Sequence, residues 1–224
     1  MSRRGDARRE RLARARLYLV TDARRAQGDL EAFLETVLAA GVDIVQLREK
    51  DAEAGDLLRW SPAFCQAAHR HGALFILNDR PDVAVAAGAD GVHVGQNDLP
   101  PGMVRRAVGN DLIIGLSTHS AAEYDASAPE ADYLCAGPVY ATPTKPGRPA
   151  TGLETVRHAA SRERDGTESR PWFAIGGIDL TNLPEIVGAG ASRVVVVRAI
   201  TDATDPVSAA SRLRSGLPQA PQSA

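Results

Sequence analysis

A short pattern that recurs three times along the chain constrains the fold more than any other feature of the sequence. It reads AAGVDIVQL from residue 39, AAGADGVHV from residue 86 and GAGASRVVVV from residue 188. Each copy combines a helix end, a glycine suited to the left-handed position that closes helices, a two-residue turn and an apolar strand. The pattern therefore predicts helices that lead into strands through short loops, with a repeating unit of about 25 residues.

The same alternation extends over most of the chain. The predicted strands are mostly continuous apolar runs, as expected for parallel strands with both faces covered. Eight of them alternate with helices: Leu17–Val20, Asp43–Leu47, Ala73–Leu77, Gly91–Val94, Leu112–Leu116, Asp132–Cys135, Trp172–Ile175 and Arg193–Val197. We therefore expect an α/β protein with a single (β/α)8 TIM barrel of parallel strands. An open doubly wound sheet is the alternative, because periodicity alone does not show that a sheet closes.

The two ends of the chain differ in composition from this repeating region. The first 16 residues hold seven arginines together with Asp6 and Glu10, and they lack the apolar segment of a secretory signal. We expect residues 1–15 to form a flexible basic arm or a short helix, and residues 16–214 to form the catalytic barrel domain. Residues 215–224 are small, polar and proline-containing, so we expect a disordered tail there.

Composition gives no sign of a nucleic-acid or membrane partner. The chain of 224 residues is 44% hydrophobic and 24% charged, with a net charge of −2, so it gives no reason to expect a nucleic-acid or membrane partner. Its longest apolar runs are too short to span a bilayer. Cys65 and Cys135 lack metal-type spacing, which favours a reduced, cytoplasmic location. A homo-oligomer remains open.

Carboxylates follow two neighbouring predicted strands. Asp79 comes after Asn78 at the end of the third strand, and Asp98 comes just past the end of the fourth. In a parallel barrel these strand ends lie at the same face, so the two acids could share a hard cation. Two carboxylates without a His or Cys cluster suit Mg²⁺, whose remaining positions are filled by water and substrate phosphate. Each aspartate also precedes a helix started by proline, so a helix N-cap is the alternative for each.

Candidate phosphate ligands lie at other strand ends. Arg48 and Lys50 follow the second strand, and a guanidinium with a nearby ammonium suits a phosphate. Pairing of these cations with Glu49 and Asp51 in a solvated turn is the alternative. Gly176, Gly177 and Ile178 follow the seventh strand, where backbone N–H groups can approach an anion. A plain turn is the alternative there.

The loop AGPVYATPTKPGRPA, from Ala136, is the longest interruption of the repeat. Loops of this length are usually lids or binding loops, and here Thr142, Thr144 and Lys145 supply two hydroxyls and a cation. A flexible linker is the alternative, which the prolines disfavour. His93 lies on the strand face opposite to that of its valine neighbours and is expected to be structural, and Cys135 is expected to be a buried strand residue.

These motifs together resemble the thiamine-phosphate synthase family. The matching segments, in the family's order, are QLREK from 46, NDR from 78, GVHVGQNDLP from 91, GLSTHS from 115, GPVYATPTKP from 137 and AIGGI from 174. The resemblance extends from about Leu17 to Ile200. It implies an enzyme that joins 4-amino-2-methyl-5-hydroxymethylpyrimidine diphosphate to a thiazole phosphate, giving thiamine phosphate and pyrophosphate.

The resemblance also implies a role for each matching residue. The pyrimidine diphosphate would be held by Gln46, Leu47, Arg48, Glu49, Lys50, Asn78, Ser117 and Lys145. The thiazole phosphate would be held by Thr142, Pro143, Thr144, Gly177, Val197 and Arg198. Asp79 and Asp98 would bind Mg²⁺. Many family members carry serine where this chain has Arg198, which leaves the role of that position open.

The expected reaction is a dissociative substitution. Diphosphate leaves more readily once its charge is neutralised by Mg²⁺, Arg48, Lys50 and Lys145, and we expect Ser117 to contribute to catalysis as well. Two rivals share the phosphate loop: a thiazole tautomerase of the same barrel type, which uses no metal, and a non-catalytic sensor of thiamine precursors. Asp79, Asp98 and Lys145 discriminate between these rivals and the synthase.

Overall fold

A computed structural model describes residues 2–142 and 149–218 of the chain. Eight parallel strands form a closed barrel in sequence order, and β1 pairs with β8 to complete it. The strands are β1 (Leu17–Thr21), β2 (Ile44–Leu47), β3 (Leu74–Asn78), β4 (Gly91–Val94), β5 (Ile113–Thr118), β6 (Tyr133–Ala136), β7 (Trp172–Ile175) and β8 (Val194–Val196). The predicted TIM barrel is therefore confirmed, and the open sheet is excluded by the pairing of Leu17 with Val194.

Helices occupy the connections between strands and the two ends of the described chain. They are α1 (Arg3–Arg14), α2 (Leu30–Ala39), α3 (Ala54–Arg70), α4 (Pro81–Ala86), α5 (Pro101–Val108), α6 (Ala121–Asp125), α7 (Glu154–Arg164), α8 (Leu183–Gly188), α9 (Arg198–Thr201) and α10 (Pro206–Gly216). None of the helices in the described ranges is both long and apolar enough to cross a membrane.

The recurring pattern that predicted the fold forms the lower edge of the barrel. Its three glycines, Gly41, Gly88 and Gly190, follow helix ends with φ of 105°, 67° and 108°, as a left-handed helix terminus requires. The chain then turns directly into β2, β4 and β8. These short connections place the amino ends of the strands at the bottom and the carboxyl ends at the opposite face.

Side chains of each strand alternate between two apolar cores. Outward residues such as Leu19, Leu47 and Phe75 pack against the helices in the larger core. Inward residues such as Tyr18, Ile44 and Phe173 fill the barrel itself. Both cores are close to fully buried, so a polar side chain on an inward position needs a hydrogen-bonding partner inside the barrel.

The basic amino-terminal segment, expected as a flexible arm or a short helix, forms helix α1. Its Leu12 is 2% exposed and belongs to the core inside the barrel, so the helix covers the bottom opening. Arg8 Nε lies 2.9 Å from Asp90 Oδ1, and Arg9 Nε lies 2.8 Å from Asp132 Oδ1. Arginines of this basic segment thus pair with acids at the bottom of the barrel. The segment is a helix packed against the barrel and not a flexible arm.

The predicted boundary of the carboxyl-terminal tail also needs correction. Helix α10 continues through Ser215 to Gly216, and Leu217 is buried against the outer core. Arg16 Nη1 donates to the carbonyl oxygens of Leu217 at 3.0 Å and Pro218 at 2.9 Å. The order therefore extends four residues into the predicted tail, because an apolar side chain and an arginine hold it. The rest of the predicted tail, residues 219–224, lies outside the described residues.

Candidate active site

Asp79 and Asp98 meet at the carboxyl ends of β3 and β4. The Asp98 carboxylate turns back over its own loop and accepts a hydrogen bond from Gly95 N at 2.7 Å. It also lies within hydrogen-bonding reach of the Asp79 carboxyl. The structure therefore brings together the two acids that were expected to share a cation.

Neither aspartate is a helix N-cap, which was the alternative for each. The N-cap of α4 is Arg80 and that of α5 is Pro100, and neither helix start receives a side-chain capping bond. Asp79 lies at the turn before α4 with φ of 62°, a left-handed backbone that is uncommon outside glycine, asparagine and aspartate. Helix capping therefore does not account for these two acids.

The electrostatic setting of Asp79 favours a bound cation. Burial raises the pKa of the Asp79 carboxyl, and the nearby charge of Asp98 raises it further, while Lys50 and Arg48 oppose the shift. Lys50 Nζ lies 3.7 Å from Asp79 Oδ2. A divalent cation between the two carboxylates would relieve their repulsion. In the described part of the chain no third acid, histidine or cysteine joins them, so water and substrate oxygens would complete the coordination.

Arg48 is a cation without a hydrogen-bond acceptor among the described residues. Its guanidinium makes no hydrogen bond or ion pair with the residues that the structure describes, although the side chain is half-buried at the end of β2. Burial lowers its pKa, against the opposing charge of Asp79. A desolvated guanidinium costs free energy unless an anion binds it, so its surroundings fit a phosphate ligand better than a solvated turn.

The other residues around Arg48 have different orientations. Gln46 is 3% exposed and points into the barrel, whereas Leu47 is fully buried in the outer core and can offer a ligand only its backbone. Glu49 Oε1 accepts a hydrogen bond from Ala23 N at 3.1 Å, so this side chain fixes the loop after β1. Asn78 is half-buried at the last position of β3, directly before Asp79.

A cavity of about 320 Å³ opens beside these groups, between the ends of β5 to β8. It is lined by the predicted residues Ser117, Thr142, Gly177, Val197 and Arg198. Arg198 is the only cation in this lining as far as the structure describes it. Arg48 lines a smaller neighbouring cavity of about 160 Å³, and Val197 is common to both. Two adjoining compartments, each with an arginine, could hold two anionic ligands.

Ser117 and Gln46 are linked through the interior of the barrel. His93 Nε2 lies 2.9 Å from Ser117 Oγ, and His93 Nδ1 lies 3.0 Å from the Tyr133 hydroxyl. The Tyr133 hydroxyl lies 3.0 Å from that of Tyr18, which in turn bonds Gln46 Nε2. The expected structural role of His93 can therefore be stated: its ring connects Ser117, a predicted site residue, to Tyr133 in the core. Cys135 is buried, as predicted.

The sequence did not single out several residues that the structure places at the site. Asp22 and Asp202 line the smaller cavity, Asp202 and Asp179 line the larger one, and Tyr18 and Tyr133 carry the interior hydrogen bonds. Asp22 follows the end of β1, so the same strand-end rule that selected Asp79 could have selected it. The tyrosines alternate with apolar neighbours, and only the closed barrel shows that their hydroxyls meet.

The loop after β6 carries predicted ligands of both substrates: Thr142, Pro143 and Thr144 for the thiazole phosphate, and Lys145 for the pyrimidine diphosphate. Pro143, Thr144 and Lys145 lie outside the described residues. Thr142, which does lie within them, is half-buried at the cavity. Their assignments therefore stay predictions.

Comparisons with known proteins relate the whole barrel to one family. The sequence matches the family model described as thiamine monophosphate synthase over residues 17–200. A thiamine-phosphate synthase of Acidothermus cellulolyticus is 58% identical over 208 residues, covering 92% of this chain and 96% of that protein. Its counterpart in Streptomyces avermitilis is 56% identical over 207 residues, covering 92% and 94%. The solved structure of a thiamine phosphate pyrophosphorylase from Pyrococcus furiosus is similar with a TM-score of 0.80 at 31% identity, covering 92% of this chain and 96% of that one.

Proposed function

The chain belongs to the thiamine monophosphate synthase family, and from that premise we propose its substrates and the way it joins them. It is a transferase of thiamine biosynthesis. The proposed reaction joins 4-amino-2-methyl-5-(diphosphooxymethyl)pyrimidine to a thiazole phosphate, forming thiamine phosphate and releasing pyrophosphate. The observation that carries the proposal is the half-buried guanidinium of Arg48, which has no acceptor in the described chain and lies next to the paired acids Asp79 and Asp98.

Mg²⁺ fits the donor set at this position. Asp79 and Asp98 would hold it, because their carboxylates are close together and the pKa of Asp79 is raised by burial and by the charge of Asp98. When bound, Mg²⁺ would neutralise charge on the diphosphate and so make it a better leaving group. Two protein carboxylates leave coordination positions for the oxygens of that diphosphate, which is the usual arrangement for this ion.

The cations at the end of β2 would hold the leaving group. Arg48 would bind the diphosphate in a bidentate way, and Lys50, whose Nζ lies 3.7 Å from Asp79 Oδ2, would add a second positive charge. In the proposed reaction the bond between the pyrimidine methylene carbon and the diphosphate oxygen breaks, and its electron pair leaves with the diphosphate. The aminopyrimidine ring stabilises the resulting cation, and Gln46, Asn78 and Ser117 would orient that ring.

The larger cavity would hold the second substrate. Gly177, Val197 and Arg198 line it, and the arginine supplies positive charge for the thiazole phosphate. The lone pair of the thiazole nitrogen then forms the new C–N bond with the methylene carbon. Since both bonds change on the substrates alone, the reaction needs no protein nucleophile and no general base. The proposed role of the protein is to bind, align and neutralise charge.

A direct assay tests the proposed reaction. We expect the purified protein, mixed with the two precursors and Mg²⁺, to form thiamine phosphate and one equivalent of pyrophosphate. Arg48→Ala should lower kcat/KM at least about 100-fold, as expected when a cation that stabilises transition-state charge is lost. Arg59→Ala is the matched control, because Arg59 is exposed and its ion pair is with Asp56 on the same helix. Its activity should stay at the wild-type level.

Two results would contradict the proposal. Interconversion of thiazole isomers without thiamine phosphate would identify a tautomerase. Binding of both precursors without turnover would identify a sensor.

A further inference from the structure

A chain of four hydrogen bonds crosses the inside of the barrel and ends at two residues of the site. It runs from the Gln46 amide to the Tyr18 hydroxyl, from there to the Tyr133 hydroxyl at 3.0 Å, to His93 Nδ1 at 3.0 Å, and from His93 Nε2 to Ser117 Oγ at 2.9 Å. The five side chains come from β2, β1, β6, β4 and β5. The chain therefore joins opposite sides of the barrel.

The barrel is shaped to accommodate this chain. Tyr18 and Tyr133 are completely buried, and burial raises the pKa of both phenols, so both stay protonated at neutral pH. Gly115 lies on β5 beneath the contact between Tyr133 and His93. A Cβ at residue 115 would lie 2.1 Å from Tyr133 Cζ and 2.5 Å from His93 Nδ1. A glycine at this position is therefore required for the two rings to meet.

With the Gln46 amide oriented as it is in the structure, the single hydrogen on each hydroxyl sets the direction of the whole chain of hydrogen bonds. Gln46 Nε2 donates to the Tyr18 oxygen, so the Tyr18 hydrogen is available to the Tyr133 oxygen. The Tyr133 hydrogen then goes to His93 Nδ1, which makes this nitrogen an acceptor. A neutral His93 must therefore carry its hydrogen on Nε2 and donate it to Ser117 Oγ.

The opposite direction would need several changes at once. If Ser117 donated to His93, then His93 would have to donate to Tyr133 and Tyr133 to Tyr18. The Tyr18 hydrogen would then meet the Gln46 NH₂ group, leaving a buried donor without an acceptor unless the amide turned over. Such an unpaired donor costs about 1–3 kcal/mol. The five hydrogen-bonded side chains contain no such unpaired atom. Among the described residues, the buried side-chain atoms without a partner belong to Tyr124, Arg193 and Arg214.

We propose that Tyr18, Tyr133 and His93 are positioning residues that hold Gln46 and Ser117 in complementary hydrogen-bonding states. Gln46 is held with its amide nitrogen inward, so its carbonyl oxygen remains as an acceptor for a ligand. Ser117 accepts from His93, so its own hydrogen points into the cavity that it lines. The site thus presents one acceptor and one donor whose states are coupled through the barrel core.

This assignment rests on the proposed function and extends it to the recognition of the pyrimidine. An aminopyrimidine carries a donor, its amino group, and on the opposite side of the ring an acceptor, a ring nitrogen. Since Gln46 and Ser117 lie on opposite sides of the barrel, the acceptor on Gln46 matches the amino group and the donor on Ser117 matches that nitrogen. A ring with an oxo group in place of the amino group would bring an acceptor to the Gln46 carbonyl oxygen, and the core hydrogen bonds would then disfavour it.

The first test is the tautomer of His93 in the ligand-free wild-type protein. We expect ¹⁵N NMR of histidine-labelled protein above pH 7 to show His93 as the neutral Nε2–H tautomer, with the resonance assigned by its loss in His93→Gln. This measurement needs no substrate, so it stands whether or not the wild-type protein makes thiamine phosphate. A neutral Nδ1–H tautomer or a doubly protonated ring would overturn the proposal.

The second test is Tyr133→Phe, which removes one hydroxyl from the middle of the chain. We expect the KM for the pyrimidine diphosphate to rise about tenfold, since one hydrogen-bonding state at the ring is no longer fixed, and the KM for the thiazole phosphate to stay unchanged. Tyr124→Phe is the matched control, because Tyr124 is buried, takes no part in these four hydrogen bonds, and its hydroxyl has no partner among the described residues. It should change neither KM. An unchanged pyrimidine KM in Tyr133→Phe, or an equal rise in both KM values, would overturn the proposal.

Discussion

At the scale of single residues, Asp79 lies in a position that costs folding free energy. Its backbone has φ of 62°, its carboxyl is half-buried, and the pKa of that carboxyl is raised by burial and by Asp98. Strained conformations of this kind cost on the order of 1–3 kcal/mol and cluster at functional sites. Because Asp79 does not cap α4, no capping hydrogen bond offsets this cost.

The raised pKa sets the sign of a prediction for Asp79→Asn. Between the pKa of the unfolded chain and the higher pKa of the folded one, the folded state binds more protons. The contribution of Asp79 protonation to the stability of the folded state is therefore complete below the unfolded pKa, and it is lost as the pH rises through the folded pKa. At pH 7 the charged carboxylate is a net cost, and asparagine removes it while tolerating positive φ. We expect the Tm of the metal-free variant at pH 7 to equal or exceed that of the wild type, and its Mg²⁺-dependent activity to fall at least about 100-fold.

Asp82→Asn is the control for this substitution. Asp82 lies three residues further along, is mostly exposed and pairs with Arg80 at 2.6 Å. Its replacement should leave activity unchanged and shift the Tm only slightly, as is usual for an exposed ion pair. A clear fall in the Tm of Asp79→Asn would show that Asp79 has a structural role, and full activity of that variant in EDTA would exclude the metal assignment.

At the scale of secondary structure elements, three aspartates join neighbouring strands at the bottom of the barrel. Asp43, Asp90 and Asp132 directly precede β2, β4 and β6. Each accepts a hydrogen bond from a backbone N–H of the strand before it: Leu17 N at 3.0 Å, Phe75 N at 3.0 Å and Ile114 N at 2.8 Å. The three acids therefore connect successive strands, and two of them, Asp43 and Asp90, belong to the recurring turn pattern. Helix α1 supplies arginines to Asp90 and Asp132.

Asp90 should matter most to stability among these three. Its carboxylate is 1% exposed and accepts from Phe75 N at 3.0 Å and from Arg8 Nε at 2.9 Å. Asp90→Ala leaves a buried N–H and a guanidinium without their acceptor, so we expect a loss of about 3 kcal/mol in the free energy of unfolding. Urea denaturation would measure it, with the exposed Asp165→Ala as control. A loss below about 1 kcal/mol would mean that α1 and the strand ends are held by apolar packing alone.

The sequence predicted the elements better than it predicted their interactions. Glycine-closed helices and apolar strands indicated the barrel, because both depend on neighbouring residues. The strand-end rule selected Asp79, Asp98 and Arg48, since parallel strands bring their carboxyl ends to one face. Sequence spacing did not decide between a metal ligand and an N-cap, because a cap depends on one residue's backbone angles. It also did not reveal that Tyr18 meets Tyr133, since that contact needs a closed barrel.

At the scale of the whole molecule, the closely paired charges and the candidate site lie at opposite ends of the barrel. The bottom carries α1, the aspartate bridges and closely paired arginines. The top carries like charges close together in Asp79 and Asp98, and an arginine that lacks an acceptor in the described chain. Without ligands, the charges of these side chains at the top are therefore poorly compensated. Ligands that compensate them should stabilise the folded protein.

This arrangement predicts that Mg²⁺ and pyrophosphate stabilise the protein together and not separately. Pyrophosphate alone would meet the charges of Asp79 and Asp98, and Mg²⁺ alone would find only two protein ligands. With both present, the anion would meet Arg48 and Lys50 while the cation separates the acids. At ligand concentrations of about 100 times Kd, stabilisation is about 2.7 kcal/mol, which corresponds to a Tm increase of about 5–10 °C for a chain of this size. Differential scanning calorimetry would measure it, and each ligand alone should shift the Tm by less than about 2 °C.

Arg48→Ala and Asp79→Asn distinguish binding at this site from binding elsewhere, because each removes one side of the charge arrangement. Both variants should lose the joint effect, whereas Arg59→Ala should retain it, since Arg59 is exposed on α3 and its ion pair is with Asp56. Magnesium pyrophosphate that bound at another surface would stabilise all three variants equally. A full Tm increase by pyrophosphate in EDTA would show that Arg48 and Lys50, after β2, are sufficient to bind the anion. Asp79 and Asp98 would then need an explanation other than metal binding.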